Sequence, residues 1–298
     1  SKGSDTSSRW KKLPSAKNTE NLSQLENLER VAILVEHSSS SARESLLTKL
    51  QAKKAKVYSY EAVDFTSPEK GLSKLLGLKK ATRTSPNFSK SRKVLSLDSD
   101  FLGHREPNSA VNTKQFMQGR KVHSPKDSKG MNRLYSVESD LTITGGVADH
   151  RLRLSSSQIE GFSALILSKL LQTSADKNDK LLAHLDSLSE GLESQEEWAS
   201  ECANDLLINS KHSLAVAGSH LPASVHLLTY KINQVLGNHG TCLDYLQIED
   251  SAGDLSSLCE SLENKDIDTL IFLGGNPVYH CPSIDWADLI KNTSSTYR

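Results

Sequence analysis

Asp268-Thr-Leu-Ile-Phe-Leu-Gly-Gly-Asn-Pro277 decides the fold class of this 298-residue chain. From Thr269 to Leu273 the residues are apolar, β-branched or aromatic, as in a strand buried on both faces of a parallel sheet. Gly274 and Gly275 allow a sharp turn and a close approach of the backbone to whatever lies above it. Asn276-Pro277 ends the turn, because a residue before proline is pushed away from helical angles. A helix is expected from Ser283 to Ile290. Open α/β sheets hold ligands at the carboxyl ends of their strands. The turn is therefore either a ligand corner or a plain tight strand–helix connection.

The same arrangement occurs one unit earlier. Ser213-Leu-Ala-Val-Ala-Gly218 reads as a strand closing on glycine, followed by Ser219-His220 and a helix with Pro222 in its first turn. Val225, Leu228, Ile232 and Val235 give that helix one apolar face, and Gly237-Asn238 supplies its stop. A strand at Thr241 to Leu246 and a helix at Ala252 to Leu262 complete a strand–helix–strand–helix–strand run from Ser213 to Pro277. Such alternation implies parallel strands and right-handed crossovers. Gly218 and Gly274 are then expected on one edge of one sheet.

The N-terminal half also reads as α/β. Strands are expected at Val31–Glu36, Lys56–Tyr60, Lys93–Asp98 and Arg133–Ser139, with helices at Ala42–Gln51 and Ser109–Gly119. Asp98-Ser99-Asp100 falls at a strand end, where two carboxylates could hold a divalent cation, serve acid/base chemistry, cap a turn or pair with Arg105. Residues 79–92 and 121–130 are polar stretches expected as loops. Residues 136–153 are expected to join the two halves, with Asp149 and Arg151 pinning the turn. The division expected is a polar disordered linker at 1–28, a first α/β unit at 29–155 and a second at 156–298 that carries the glycine turns and is incomplete at its C-terminus.

Composition narrows the chemistry. No apolar run reaches the roughly 18 residues that span a bilayer, so no transmembrane segment is expected. Net charge is zero, but residues 1–133 hold 26 Lys/Arg against 13 Asp/Glu, and residues 134–298 hold 10 against 23. The basic residues come as scattered pairs without interleaved aromatics, which argues against nucleic acid and for attraction between the halves or an acidic neighbour. Cys202, Cys242, Cys259 and Cys281 are too widely spaced for an iron–sulfur cluster or a structural zinc site. Cys202 and Cys259 read as small core residues; Cys281, beside the glycine turn, could face a ligand. No Gly-x-Ser-x-Gly elbow accompanies the histidines, and no catalytic residue is identified.

The ordered set of motifs resembles the molybdopterin oxidoreductase superfamily. Its members are Gly218, Ile232-Asn233-x-x-Leu236-Gly237-Asn238-x-Gly240, Gly274-Gly275-Asn276-Pro277 and Ala148-Asp149-His150-Arg151-Leu152. Val94 to Gly103, Met131 to Ser139 and Thr144 to Leu152 are similar to one branch, the large iron–sulfur subunit of bacterial alternative complex III. The resemblance covers about Val31 to the end. It implies two Rossmann-like three-layer α/β units with mostly parallel sheets, and glycine turns that touch a pterin dinucleotide. Gly218, Ser219, His220, Asn233, Gly274, Gly275, Asn276 and Pro277 are the candidate cofactor-binding residues, as vestiges.

The departure from the family pattern is Leu154-Ser-Ser-Ser-Gln-Ile159, where molybdenum-carrying relatives have a Pro-Gly-Thr-Asp-like segment. It offers no glycine for close approach and no carboxylate for a guanine edge. By resemblance, the chain is expected to be a fragment of a subunit in a membrane-associated quinol-oxidising electron-transfer complex. This part would act as a scaffold without bound molybdenum or other cofactor, with iron–sulfur clusters in a C-terminal part of the parent chain. Its partners would be the other subunits, peripheral to the bacterial inner membrane on the extracytoplasmic face. Two alternatives stand beside it: a segment of an active molybdopterin-dinucleotide oxidoreductase, and a stand-alone nucleotide-binding module.

Overall fold

Short aliphatic and β-branched runs become strands wherever the sequence expects them, and three more strands form where it does not. In the computed structural model these are β1 (Val31–Glu36), β2 (Lys56–Tyr60), β3 (Thr82–Pro86), β4 (Lys93–Leu97), β5 (Arg133–Glu138), β6 (His150–Arg153), β7 (Ser213–Ala217), β8 (Leu243–Gln247), β9 (Thr269–Leu273) and β10 (Ser295–Tyr297). The structure describes residues 28–38, 40–62, 67–78, 82–173, 178–247 and 252–298. The expected N-terminal linker lies outside them except for Leu28, which is buried.

The chain divides into two compact units, and the division is not sequential. One joins Ser1–Asp64 to Asp250–Arg298; the other is Phe65–Glu249. This corrects the expected boundary at 155/156. Parallel strands pair through crossovers of any length, and β1 takes β9, more than two hundred residues on, as its neighbour. Residues 136–153, expected as a junction, lie inside the second unit, where residues 150–153 form β6.

In the first unit the sheet order is β10-β9-β1-β2, all parallel, with Val31 opposite Thr269 and Ala32 opposite Lys56. Side-chain alternation gives the sheet two apolar faces. Ala32, Leu34, Tyr58 and Leu270 pack with Leu258, Leu262 and Trp286 from helices Leu255–Glu263 and Trp286–Ile290. Val31, Ile33, Val35 and Val57 pack with Leu47 of helix Ser41–Ala52. The helix expected from Ser283 begins only at Trp286, where the Asp285 carboxylate accepts from the Asp288 N–H and caps it. A shorter helix, Pro277–His280, precedes it.

The second unit is a parallel sheet of order β6-β5-β4-β7. Leu95, Leu97, Tyr135, Val137 and Ala215 meet helices Ile159–Gln172, Asp179–Leu188, Glu196–Ile208 and Ala223–Leu236 on one face. Val94, Leu134 and Leu214 meet Phe88, Phe101 and Phe116 on the other. Phe101 stacks on Phe88 with ring centroids 4.3 Å apart and meets Phe116 edge-on. Each unit is thus three-layered.

Two expectations about residues 213–277 are overturned. β8 is not the middle strand of a parallel run; it pairs antiparallel with β3 in a separate ribbon, Thr84 opposite Tyr245. β3 itself arises within the stretch expected to be a polar loop, because a ribbon strand with an exposed face needs few apolar residues. Gly218 and Gly274 do not share a sheet: Gly218 follows β7 and Gly274 follows β9.

Candidate functional site

Each unit carries a cluster of polar side chains at the carboxyl ends of its parallel strands, where such sheets present functional groups. One cluster belongs to each unit.

In the second unit the cluster centres on Asp98, the residue after β4. Its backbone is left-handed, φ 48°, a conformation that aspartate tolerates better than most residues. Its carboxylate is buried and accepts from the Ser139 N–H at 3.1 Å, from the Ser139 hydroxyl and from the Ser156 hydroxyl. The His220 Nε2–H donates to the same carboxylate at 3.4 Å. Burial alone raises the Asp98 carboxyl, but the hydrogen bonds from His220, Ser156 and Ser139 outweigh it and hold it down at about 2. His220 is raised in turn, chiefly by its bond to Asp98, although 57% of its side chain is exposed. The arrangement is a buried carboxylate orienting a half-exposed imidazole. It is not a Ser-His-Asp relay, because the serine hydroxyls give their protons to Asp98 rather than to His220.

The glycine next to this pair has a local purpose. A Cβ on Gly218 would lie 2.3 Å from the Asp98 carbonyl oxygen and 2.8 Å from the His220 ring. Ser219 N–H donates to Glu106 Oε1 at 2.9 Å, and burial raises the Glu106 carboxyl despite that bond. His226 Nε2–H donates to the Gly218 carbonyl, with burial holding the imidazole below its ordinary value. Asn233 faces the outer edge of β7. Its Nδ2 donates to the Ala215 and Thr229 carbonyls, and its Oδ1 accepts from Ala215 N–H and Asn238 Nδ2.

In the first unit Gly274 and Gly275 both have positive φ, 86° and 71°. A Cβ on Gly275 would lie 2.2 Å from the Tyr60 hydroxyl and 2.6 Å from Glu36 Oε1. Glu36 and Tyr60 are the last residues of β1 and β2. The Tyr60 hydroxyl and His280 Nδ1 are 3.4 Å apart, and His280 Nδ1 lies 3.9 Å from Glu36. Burial first, then the neighbouring Glu36, pushes the Tyr60 phenol up to about 12. Asn276 caps helix Pro277–His280 by accepting from the Tyr279 N–H, and Pro277 fills its first position. The two groups of candidate residues are therefore each assembled locally, Gly218 to His220 around Asp98, and Gly274 to Pro277 around Glu36 and Tyr60.

Sequence reading missed Glu36, Tyr60, Ser139, Ser156, Glu106 and His280 as members. A signal was available for three of them: Glu36, Tyr60 and Ser139 are the last or next residues of recognisable strands. The pairing of the Asp98 and Asp100 carboxylates with Arg105 weighed from sequence does not form. Arg105 pairs with Asp140, Asp98 is held by Ser139, Ser156 and His220, and Asp100 accepts from Thr144. Asp149 and Arg151 do pin their segment, but within one unit: Asp149 binds Arg120 and the Leu134 N–H, and Arg151 binds buried Glu138. Among the described residues no group of His, Cys, Asp and Glu could hold a metal ion, and no helix is long and apolar enough to cross a membrane. Cys202 and Cys242 are buried, and Cys259 and Cys281 pack beside the first unit's core.

No family model matches the chain, and no curated protein matches it. Its fold is similar to that of acetylene hydratase from Pelobacter acetylenicus, with a TM-score of 0.58 and 9% sequence identity, covering 93% of this chain and 48% of that one. The formyltransferase/hydrolase complex from Methylorubrum extorquens matches at a TM-score of 0.49 and 10% identity, over 91% of this chain and 78% of that one. The second score is too low to argue a shared fold. The chain spans about half the length of the hydratase. At 9% identity the likeness is one of fold alone, and that fold is the mixed α/β, mostly parallel, three-layer architecture that the glycine-turn resemblance implies.

Proposed function

We propose that this chain is the scaffold part of a molybdopterin-oxidoreductase-like subunit in a membrane-associated quinol-oxidising electron-transfer complex, and that its glycine corners hold no pterin dinucleotide. The observation that carries the second half is what occupies the corners. In a cradle for a dinucleotide, the room left by a missing side chain belongs to the ligand. Here the Tyr60 hydroxyl and the Glu36 carboxylate stand where a Gly275 side chain would be. The Asp98 carbonyl and the His220 ring stand beside Gly218. The imidazoles near the corners are already engaged with carboxylates, His220 with Asp98 and His280 beside Glu36, so neither corner offers a free cation to a pyrophosphate. The residues present do not fit the group.

In this reading the segment supplies shape and docking surface, while the iron–sulfur clusters and quinol chemistry belong to other parts of the parent chain and its partner subunits on the extracytoplasmic face of the inner membrane. The opposite charge of the two halves of the sequence suits a protein held among charged neighbours. The test is purification of the parent protein from detergent-solubilised membranes. Co-purification with membrane subunits and an iron–sulfur signal is expected. Recovery as a lone protein in the soluble fraction would end the proposal.

A further inference from the structure

The second unit contains a cavity of about 260 Å³ at the free edge of β7. That is just under the roughly 300 Å³ where small-molecule sites begin. Tyr230 and Thr229 of helix Ala223–Leu236 line one side, Pro86 and Tyr245 of the β3–β8 ribbon another, and Glu106 and Asn112 a third. The floor is β7 itself, from Ala215 to Ala217.

Peptide groups alternate along that strand. Gly218 N–H donates inward to the Leu97 carbonyl of β4. Ala215 instead turns its N–H and C=O outward, where the Asn233 carboxamide accepts from one at 3.0 Å and donates to the other at 2.8 Å. Two residues on, Ala217 faces the same way by strand alternation. The Leu97–Ala217 register leaves its N–H and C=O on the side away from β4, no turn or side-chain hydrogen bond reaches them among the described residues, and it lines the cavity. Its donor and acceptor are thus open to a ligand that carries the complementary pair.

We propose that this cavity binds a small neutral molecule bearing a carboxamide or lactam, which pairs with Ala217 as Asn233 pairs with Ala215. The aromatic and apolar walls from Tyr230, Tyr245 and Pro86 accept a flat ring as the body of that ligand. A carboxylic acid of the same shape is disfavoured at Ala217. It has no N–H for the Ala217 carbonyl, and at that position it brings a second carboxylate beside Glu106, with Arg83 of the ribbon as the cationic group that also lines the cavity. This site does not depend on the scaffold role proposed above.

Benzamide and benzoate, matched in shape, test it on the 298-residue chain by saturation-transfer NMR and thermal shift. Benzamide is expected to bind, and benzoate to bind at least about tenfold more weakly. Thr84, exposed on the ribbon and lining the cavity, gives a filling variant: Thr84→Trp is expected to weaken benzamide about tenfold or more while the unliganded melting temperature stays within a few degrees. Equal binding of the two probes by the unaltered chain overturns the proposal, as does no benzamide signal at about 10 mM. So does undiminished binding by a folded Thr84→Trp variant.

Discussion

A Cβ placed on Gly218 would lie 2.3 Å from the carbonyl oxygen of Asp98, closer than any real contact of that kind. The obstacle is backbone at the end of β4, so it cannot swing aside. Gly218→Ala is expected to destabilise the second unit by about 1–3 kcal/mol, the usual cost of overpacking. Adding His220→Ala removes the other close neighbour but leaves the carbonyl, so the double variant should stay destabilised. Recovery of the full melting temperature in the double variant would place the obstacle in the histidine ring instead.

Gly275 makes the opposite case, because its obstacles are side chains. Gly275→Ala is expected to cost about 1–2 kcal/mol for the left-handed backbone alone, with the Tyr60 contact added to it. Tyr60→Phe removes the hydroxyl 2.2 Å away and should return part of the loss. Additive losses in the double variant, measured by denaturant unfolding, would contradict the arrangement.

The Asp98–His220 pair sets a pH window. His220 is raised, so its contribution is complete below the ordinary imidazole value of 6.5 and disappears as pH rises through its folded value. Asp98 is held at about 2, so its contribution is complete above the ordinary 3.8 and disappears as pH falls through about 2. Both are complete between those ordinary values, from 3.8 to 6.5. Asp98→Asn keeps a residue that accepts positive φ and removes the charge. NMR titration of His220 should then move to lower pH. An unmoved titration would mean that the pair does not form in solution.

Glu138 is buried, and Arg151 is its cationic partner, with the Thr142 hydroxyl donating to its other oxygen. A Cβ on Gly145 would lie 1.7 Å from this carboxylate, so the local backbone is shaped around it. Arg151→Ala strands a buried charge and is expected to cost about 3–5 kcal/mol. Glu138→Gln, neutral and nearly isosteric, should cost clearly less. The reverse order in urea unfolding would contradict a buried ion pair here.

β1 and β9 were legible as apolar runs and β2 as an alternation of apolar and polar residues, and all three begin and end on the residues read from sequence. The parallel strands β6 and β10 were missed, because His150-Arg-Leu-Arg153 and Ser295-Thr-Tyr297 are short and largely polar. The partners of the legible strands were not readable, since nothing local in Val31–Glu36 shows that it pairs with Thr269–Leu273 rather than with a strand nearer in sequence. β3 was missed for a different reason: Thr82-Arg-Thr-Ser-Pro86 holds no aliphatic residue, and only its ribbon partner β8 makes it a strand. At the candidate site the glycines, Asp98 and His220 were each singled out from sequence, but not that they stand together, and Glu36 and Tyr60 were not found. Glu36, Tyr60 and Asp98 stand at strand ends far from Gly275 and Gly218 in the chain, and only pairing order brings them close. The resemblance read from the glycine turns gave the architecture, and the expectation that both turns open on one sheet failed with the pairing order that it assumed.

Metal and nucleotide content of the purified parent protein bears most directly on the occupied glycine corners. With Tyr60 and Glu36 against Gly275, and Asp98 and His220 against Gly218, the proposed scaffold role predicts a preparation that contains iron but neither molybdenum nor tungsten above trace, and that releases no guanine or cytosine nucleotide on denaturation. Molybdenum or tungsten at one atom per chain, accompanied by a released nucleotide, would contradict the account.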